Sequence, residues 1–325
     1  MMRSRFAVVI IFIVVTLVAG CGDRETSRAS DVESAPATEV ALPRSELHLI
    51  PSESVGDTFR VSIALPSSYQ SSEKRYPVVY ALDANAWAWF GTYAEIVRVA
   101  AAVEKLPEVI VVGVGYARPV AEALALRARD LTPVSSDEQD ERIREAVPGL
   151  PGSVVSGGAN TFLTFLSDEL VPLIESRYRV DSSRRVLFGH SFGGLFTLYV
   201  LFRQPAAFTD YIVGSPSIWY GDGVSFTSER AYADEHEDLP VRVFLSVGSL
   251  EELNDDEKSR AFAMVSNVVE LSRRLESRGY PGLELETVVF DGETHNGVIP
   301  PTFSRGFRYV FEAGLDSAEI AAERQ

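Results

Sequence analysis

The sequence predicts an α/β protein in which a mostly parallel sheet is covered by helices on both faces. Short, almost wholly apolar segments alternate along the chain with longer segments of helical periodicity, and strands buried on both faces have that apolar pattern. The predicted strands are residues 76–82, 108–114, 185–189, 210–213, 241–247 and 285–290. The predicted helices are residues 93–103, 161–178, 191–203, 261–278 and 302–313. Because helices separate most successive strands, parallel crossover connections are expected.

One further strand has a different pattern. Residues 58–66 alternate apolar and polar side chains, which is typical of a half-buried antiparallel strand near a sheet edge. Two long stretches, 118–158 and 215–239, interrupt the strand–helix alternation after the carboxyl ends of strands. Ligands bind at that side of such sheets, so both insertions are candidates for a substrate cap. Plain surface insertions are the alternative.

The N-terminal region has the composition of a targeting segment and a linker. Residues 1–20 place two arginines before an apolar run that ends in small residues, as in an export signal peptide. The run is shorter than the roughly 20 residues of a membrane-spanning helix. Residues 21–44 are rich in Ser, Thr, Glu, Ala and Pro and are predicted to be a disordered tether, followed by one catalytic domain over residues 45–325.

The end of the signal segment, Leu17–Cys21, resembles the lipobox of bacterial lipoproteins. The resemblance implies a lipid on Cys21, and this is the only cysteine, so no intramolecular disulfide can form. Gly22 follows it where an inner-membrane lipoprotein tends to have aspartate. The expected location is therefore the cell envelope, with the protein anchored in the outer membrane and facing the periplasm.

The charge balance argues against nucleic acid as a partner. The chain has 46 acidic residues against 30 lysines and arginines, a net charge of −16. Removing residues 1–20, which contain Arg3 and Arg5 and no acid, changes this to −18. A surface of that sign repels phosphate backbones.

The segment Gly189-His190-Ser191-Phe192-Gly193-Gly194 matches the G-x-S-x-G-G pattern of a nucleophile elbow. A serine on a tight strand-to-helix turn takes strained backbone angles, and glycines two positions away on either side avoid clashes. The context agrees, because residues 184–188 read as a strand and residues 191–203 as a helix. Ser191 is therefore the predicted nucleophile, and a structural strand–turn–helix is the alternative.

A serine nucleophile needs a base, and the chain has four histidines. His48 and His236 fall in predicted surface segments. His190 is adjacent to Ser191, but its side chain is expected to point away from the serine and to pack. His295 lies in a polar loop after the last strand, from which it can reach back over the elbow, so it is the predicted base.

The acid that orients the base is expected after the penultimate strand. Glu251 is the third residue after Gly248 there, and Glu252 next to it is the alternative. The resulting order of serine, acid and histidine is that of the α/β-hydrolase topology. An oxyanion hole needs two backbone N–H donors, predicted to come from Phe192 and from either Ala84 or Asn85.

Residues for substrate binding are expected near the strand ends. Trp87 and Trp219 are predicted to line an aromatic pocket, and burial in the core is the alternative. Arg127 and Arg129 are candidates to bind an anionic group, with a structural role beside Asp130 as the alternative. No cofactor is predicted, and the histidines lack the spacing of metal ligands.

Several motifs together resemble the esterase-D-like branch of the α/β-hydrolases, which includes siderophore esterases. The similar segments are residues 76–83, 127–133, 188–194, 214–219 and 291–295. The resemblance implies a serine esterase that cleaves siderophore trilactones or small acyl and aryl esters through an acyl-enzyme. An acyltransferase on the same triad and a non-catalytic ligand-binding lipoprotein are the alternatives. The family often has glycine where this chain has Ala84.

Overall fold

The central sheet has eight strands in the part of the chain that a computed structural model describes, residues 41–84, 89–146, 155–252 and 262–312. They are β1 (Ser45–Ser52), β2 (Asp57–Ala64), β3 (Tyr76–Ala81), β4 (Ile110–Tyr116), β5 (Val180–His190), β6 (Asp210–Gly214), β7 (Arg242–Gly248) and β8 (Glu284–Phe290). Their order is β1-β2-β4-β3-β5-β6-β7-β8. β2 is antiparallel to β1 and β4, and every pair from β4 to β8 is parallel.

Helices cover both faces of the sheet. They are α1 (Trp89–Val103), α2 (Val120–Leu131), α3 (Asp137–Ala146), α4 (Ala159–Thr164), α5 (Val171–Arg177), α6 (Phe192–Arg203), α7 (Tyr220–Glu235), α8 (Met264–Arg278) and α9 (Ile299–Glu312). A π-helical turn, Phe165–Leu170, joins α4 to α5. Buried side chains of α1 and α9 form the core on one face, and those of α2, α4 to α6 and α8 belong to the core on the other. The predicted α/β class is therefore confirmed.

Two predictions about the insertions needed correction. Residues 118–158 contain α2 and α3, and residues 215–239 contain α7, where the sequence suggested long loops. Helix α7 is hard to detect because its first turn is kinked, with positive φ at Gly221, Asp222 and Gly223. Strand β1 was not predicted because most of its residues are exposed, so it lacks the apolar run of a buried strand.

The register of the parallel strands brings their carboxyl ends to one edge. His190 of β5 pairs with Gly214 of β6, and Gly214 pairs with Ser246 of β7. Gly248, at the end of β7, pairs with Phe290 at the end of β8. Loops that leave these four strands therefore converge, which is the usual ligand-binding side of such a sheet.

The predicted signal peptide, the tether up to residue 40 and Cys21 lie outside the described residues. Within the described ranges, the helices all fall short of the length and apolar character required to cross a membrane. In the same ranges, no group of three or more His, Cys, Asp or Glu side chains is arranged to hold a metal ion.

Candidate active site

Ser191 lies at the sharp turn between β5 and α6. Its φ of 61° and ψ of −118° are in a region that non-glycine residues rarely adopt. The turn is possible because the nearby glycines have no side chains. A Cβ on Gly189 would lie 2.1 Å from the carbonyl oxygen of Gly193, and one on Gly194 would lie 2.7 Å from that of Gly214. The glycines of the motif are therefore required by close backbone contacts.

Of the predicted oxyanion donors, Phe192 is available and Ala84 is not. Phe192 is the first residue of α6, so its N–H has no acceptor within the helix. The Ala84 N–H donates to the carbonyl oxygen of Val114 at 3.1 Å, so the prediction of Ala84 as a donor was wrong. This bond ties the segment after β3 to β4, a contact that sequence alone does not reveal. Asn85, the other candidate, lies outside the described residues.

Glu251 and His295 lie in direct contact. Glu251 Oε2 is 2.6 Å from His295 Nδ1, and the glutamate side chain is 1% exposed. The other carboxylate oxygen accepts hydrogen bonds from the Gly248 N–H at 2.7 Å and from Ser215 Oγ at 2.6 Å. These bonds fix the carboxylate on the ring. Glu252, the alternative acid, instead accepts bonds from the backbone N–H and hydroxyl of Ser266.

A cavity of about 410 Å³ opens beside Ser191 and His295. Its other lining residues are Ser217, Trp219, Leu250, Glu251, Phe262, Met264 and Thr294. Trp219 and Phe262 form one wall, with ring centroids 4.5 Å apart. A cavity of this volume, with polar groups placed beside apolar and aromatic side chains, is typical of small-molecule sites. Trp219 thus lines the same cavity as Ser191, whereas Trp87 lies outside the described residues.

A smaller cavity of about 80 Å³ also touches Ser191 and His295, and its lining combines apolar side chains such as Leu82 and Ile299 with Asp83, Arg127 and His190. Arg127 lies there, and one edge of its guanidinium donates two hydrogen bonds to Asp83, at 2.9 Å from Nε to Oδ1 and 2.8 Å from Nη2 to Oδ2. Burial alone would lower the pKa of Arg127, but the charge and hydrogen bonds of Asp83 raise it above its ordinary value.

Arg129 does not contribute to either cavity, so its prediction as a pocket residue was wrong. Its Nε and Nη2 atoms bond the carboxylate of Asp130 at 2.7 and 2.9 Å, and Nη1 lies 3.3 Å from Asp57 Oδ2. Burial raises the pKa of Asp130 in spite of the arginine. Arg127 and Arg129 therefore point in different directions from α2, because side chains two positions apart on a helix do not face each other.

Sequence reasoning missed the position of His190. Its ring centroid lies 4.6 Å from that of His295, and it lines the smaller cavity. Burial, with the nearby His295 and Arg127, lowers the pKa of His190 well below its ordinary value, so the ring is neutral. The alternation of side chains along β5 indicates that His190 points to the side opposite Ser191. It does not indicate that the loop carrying His295 covers that side.

Comparisons with known proteins identify the family of this chain. Residues 52–293 match the family model described as "Putative esterase". The chain is 35% identical over 280 residues to the ferri-bacillibactin esterase BesA of Bacillus subtilis strain 168, covering 83% of this chain and 90% of that protein. It is 30% identical over 301 residues to the siderophore triacetylfusarinine C esterase of Aspergillus fumigatus, covering 85% and 96%.

A solved structure gives the same result for the fold. The siderophore hydrolase EstB of Aspergillus nidulans superposes with a TM-score of 0.71 and 27% identity, covering 86% of this chain and 99% of that one. The chain therefore belongs to the esterase family of the α/β-hydrolases and is a carboxylic ester hydrolase.

Proposed function

We propose that Ser191, His295 and Glu251 form a catalytic triad that hydrolyses esters through an acyl-enzyme. The observation that carries this proposal is the 2.6 Å contact between Glu251 Oε2 and His295 Nδ1, together with the position of Ser191 and His295 on the same cavities. Glu251 would hold the Nδ1 proton of His295, leaving Nε2 as the base, and would stabilise the imidazolium that forms.

In the first half of the reaction, Ser191 Oγ attacks the ester carbonyl carbon and His295 Nε2 takes the hydroxyl proton. The negative charge that develops on the carbonyl oxygen is stabilised by the Phe192 N–H at the start of α6. The tetrahedral intermediate collapses when the bond to the alcohol oxygen breaks. His295 gives its proton to that oxygen, the alcohol leaves, and the acyl group remains on Ser191.

In the second half, a water molecule attacks the acyl carbonyl carbon while His295 Nε2 takes its proton. The bond between the carbon and Ser191 Oγ then breaks, and His295 returns the proton to the serine. The products are one carboxylic acid and one alcohol, and the enzyme returns to its starting state.

We propose siderophore trilactones or small acyl and aryl esters as the substrates. Two relatives carry the names of ferri-bacillibactin and triacetylfusarinine C esterases and align with most of this chain. The aromatic wall formed by Trp219 and Phe262 also supports substrates with planar rings, since such rings stack on aromatic side chains.

We also propose that the mature protein begins at a lipidated Cys21 and is anchored in the cell envelope, with the outer membrane and its periplasmic side as the expected place. The support is the pattern of residues 1–22. Extraction of the protein with detergent, followed by mass measurement of its N-terminal peptide, tests this. A Cys21→Ala variant that stays in the membrane fraction would contradict it.

The substrate proposal is tested by incubating wild type and Ser191→Ala with ferric and iron-free trilactone siderophores and with p-nitrophenyl esters. Mass spectrometry of the products should show opened lactones only with wild type. Hydrolysis of aryl esters without any trilactone cleavage would exclude siderophores while keeping the triad. An added alcohol acceptor distinguishes a transferase, because a new ester would then replace the acid as the main product. A protein that binds siderophores without turnover would favour the non-catalytic alternative.

A further inference from the structure

The ion pair between Asp83 and Arg127 joins two separate parts of the active-site wall. Asp83 follows β3, and Arg127 comes from α2 in the insertion after β4. The bidentate contact has distances of 2.9 and 2.8 Å, and the side chains are 13% and 15% exposed. Planar two-bond contacts of this kind fix orientation as well as distance.

Asp83 is held in a defined position next to the elbow. The residue before it, Leu82, donates its N–H to Phe188 O at 3.0 Å, and the residue after it donates to Val114 O. Its own φ is +54°, a conformation that aspartate tolerates better than most residues. A Cβ on Gly193 would lie only 3.2 Å from Asp83 Oδ2, so the carboxylate rests against the backbone of the elbow.

Arg127 lies against the residue that supplies the oxyanion donor. Its guanidinium carbon is 5.3 Å from the centroid of the Phe192 ring, within range of a cation–π contact. The pair therefore touches the two residues that follow Ser191, Phe192 through the arginine and Gly193 through the aspartate. Both members also line the smaller cavity with Ser191 and His295.

A mainly stabilising role does not explain a largely buried ion pair at this place. The cost of removing the charges of Asp83 and Arg127 from water offsets most of their attraction. Apolar residues of similar volume would therefore stabilise the fold at least equally. A rigid bridge, by contrast, is useful where a backbone donor must meet developing charge without moving.

We propose that Asp83 and Arg127 are a positioning pair that holds the end of β3 and helix α2 on the elbow and so fixes the Phe192 N–H for the oxyanion. The inference rests on the proposed function, since it assigns a role within the same acyl transfer. Arg127 is then committed to Asp83 and does not bind an anionic group of the substrate.

The test compares wild type with Asp83→Asn, Arg127→Met and the double variant on a neutral p-nitrophenyl ester. Each single variant should lower kcat by about 10- to 100-fold while KM stays within about twofold, because a positioning loss acts in the transition state. The double variant should lose no more than the worse single one, since the two residues act as a unit. Inhibition by an aryl boronic acid, which mimics the tetrahedral intermediate, should weaken by the same factor as kcat/KM.

Arg129→Met is the matched control, because Arg129 lies two residues away on the same helix and is also held by a carboxylate, but outside the cavities. Its kcat and KM should stay within about twofold of wild type, although its melting temperature should fall. Arg127→Lys keeps the charge without the planar fork, so it should show an intermediate loss of kcat.

Unchanged kcat in folded Asp83→Asn or Arg127→Lys would overturn the inference. So would a rise of KM limited to esters that carry a carboxylate, because that result assigns Arg127 to substrate binding. If Arg127→Met does not fold, the kcat values of Asp83→Asn and Arg127→Lys decide the question. Absence of turnover and of fluorophosphonate labelling in wild type would overturn the proposed function and this inference together, whereas normal wild-type turnover with normal variants overturns the inference alone.

Discussion

The carboxylate of Glu251 bridges His295 and the ends of two strands. Oε2 lies 2.6 Å from His295 Nδ1, while Oε1 accepts bonds from Gly248 at the end of β7 and from Ser215 just after β6. The contact depends on the parallel register, which pairs Gly214 with Ser246 and Gly248 with Phe290. The orientation of the histidine is therefore set by the sheet itself.

Replacement of Glu251 by glutamine should lower kcat, whereas the same replacement of the neighbouring Glu252 should not. Glu251→Gln should lower kcat by about 10³- to 10⁴-fold, because an amide does not hold the required tautomer of His295 or stabilise the imidazolium. Glu252→Gln should leave kcat within about twofold, since Glu252 bonds Ser266 at the start of α8. Steady-state kinetics on a p-nitrophenyl ester measure both, and equal losses in the two variants would contradict the assignment.

Removal of the aromatic wall should weaken binding of aryl substrates. Trp219→Leu leaves the Phe262 ring without its partner at 4.5 Å, so KM for an aryl or catecholate ester should rise by about tenfold. The KM for a short aliphatic ester should change much less, because it makes no ring contact. A parallel series of both ester types measures this. A loss of kcat for all esters, with KM unchanged, would be the contrary result.

The buried His190 should make stability depend on pH. Burial, with the nearby His295 and Arg127, lowers its pKa well below the ordinary 6.5, so below about pH 6.5 the unfolded chain binds a proton that the folded chain does not. Stability should therefore fall as the pH falls through that range. Between about pH 6.5 and 5.5 the contribution of this residue is about 1 kcal/mol.

Urea unfolding at about pH 7.5, 6.5 and 5.5 measures that dependence, with His190→Phe as the variant that lacks the proton. Wild type should lose more free energy of unfolding than His190→Phe over the acidic interval. His236→Gln, at an exposed position after α7, should follow the wild-type curve. If the free energy of unfolding changed equally with pH in wild type and His190→Phe, the pKa of His190 would be the same in the folded and unfolded states. That result would contradict the prediction.

Arg129 should contribute to stability and not to catalysis. Asp130 is buried, and its carboxylate relies on two bonds from Arg129. Arg129→Met leaves that carboxylate without its arginine and should lower the free energy of unfolding by about 3 kcal/mol. Chemical denaturation of the variant measures this value. A change below about 0.5 kcal/mol would mean that solvent or other groups hold Asp130.

The features that could be predicted from sequence are those that depend on residue patterns within short segments. The elbow glycines identify Ser191 because they occupy fixed positions around it in a short motif, and His295 and Glu251 follow from their places after successive strands. The availability of a backbone N–H is different. The Ala84 N–H is used by Val114, thirty residues away, and the opposite roles of Arg127 and Arg129 depend on which carboxylate each meets in the folded chain.

Helix α7 and the position of His190 show the same limit. Three residues with positive φ kink the start of α7, so its sequence does not present a continuous helical pattern. The strand pattern indicates that His190 is directed away from Ser191, yet the loop carrying His295 folds over that side and brings the two rings to 4.6 Å. His190 and His295 are far apart in the sequence, so local residue patterns do not reveal the contact between their rings.

The most direct test of the central claim is mass spectrometry of the protein after reaction with a fluorophosphonate, combined with turnover of a p-nitrophenyl ester. Wild type should gain one adduct on the peptide that contains Ser191 and lose its activity in proportion. Ser191→Ala should take up no adduct and should lose at least about 10⁴-fold in kcat. Turnover by Ser191→Ala near the wild-type rate, or an adduct on another serine that accounts for the loss of activity, would contradict the assignment of Ser191 as the nucleophile.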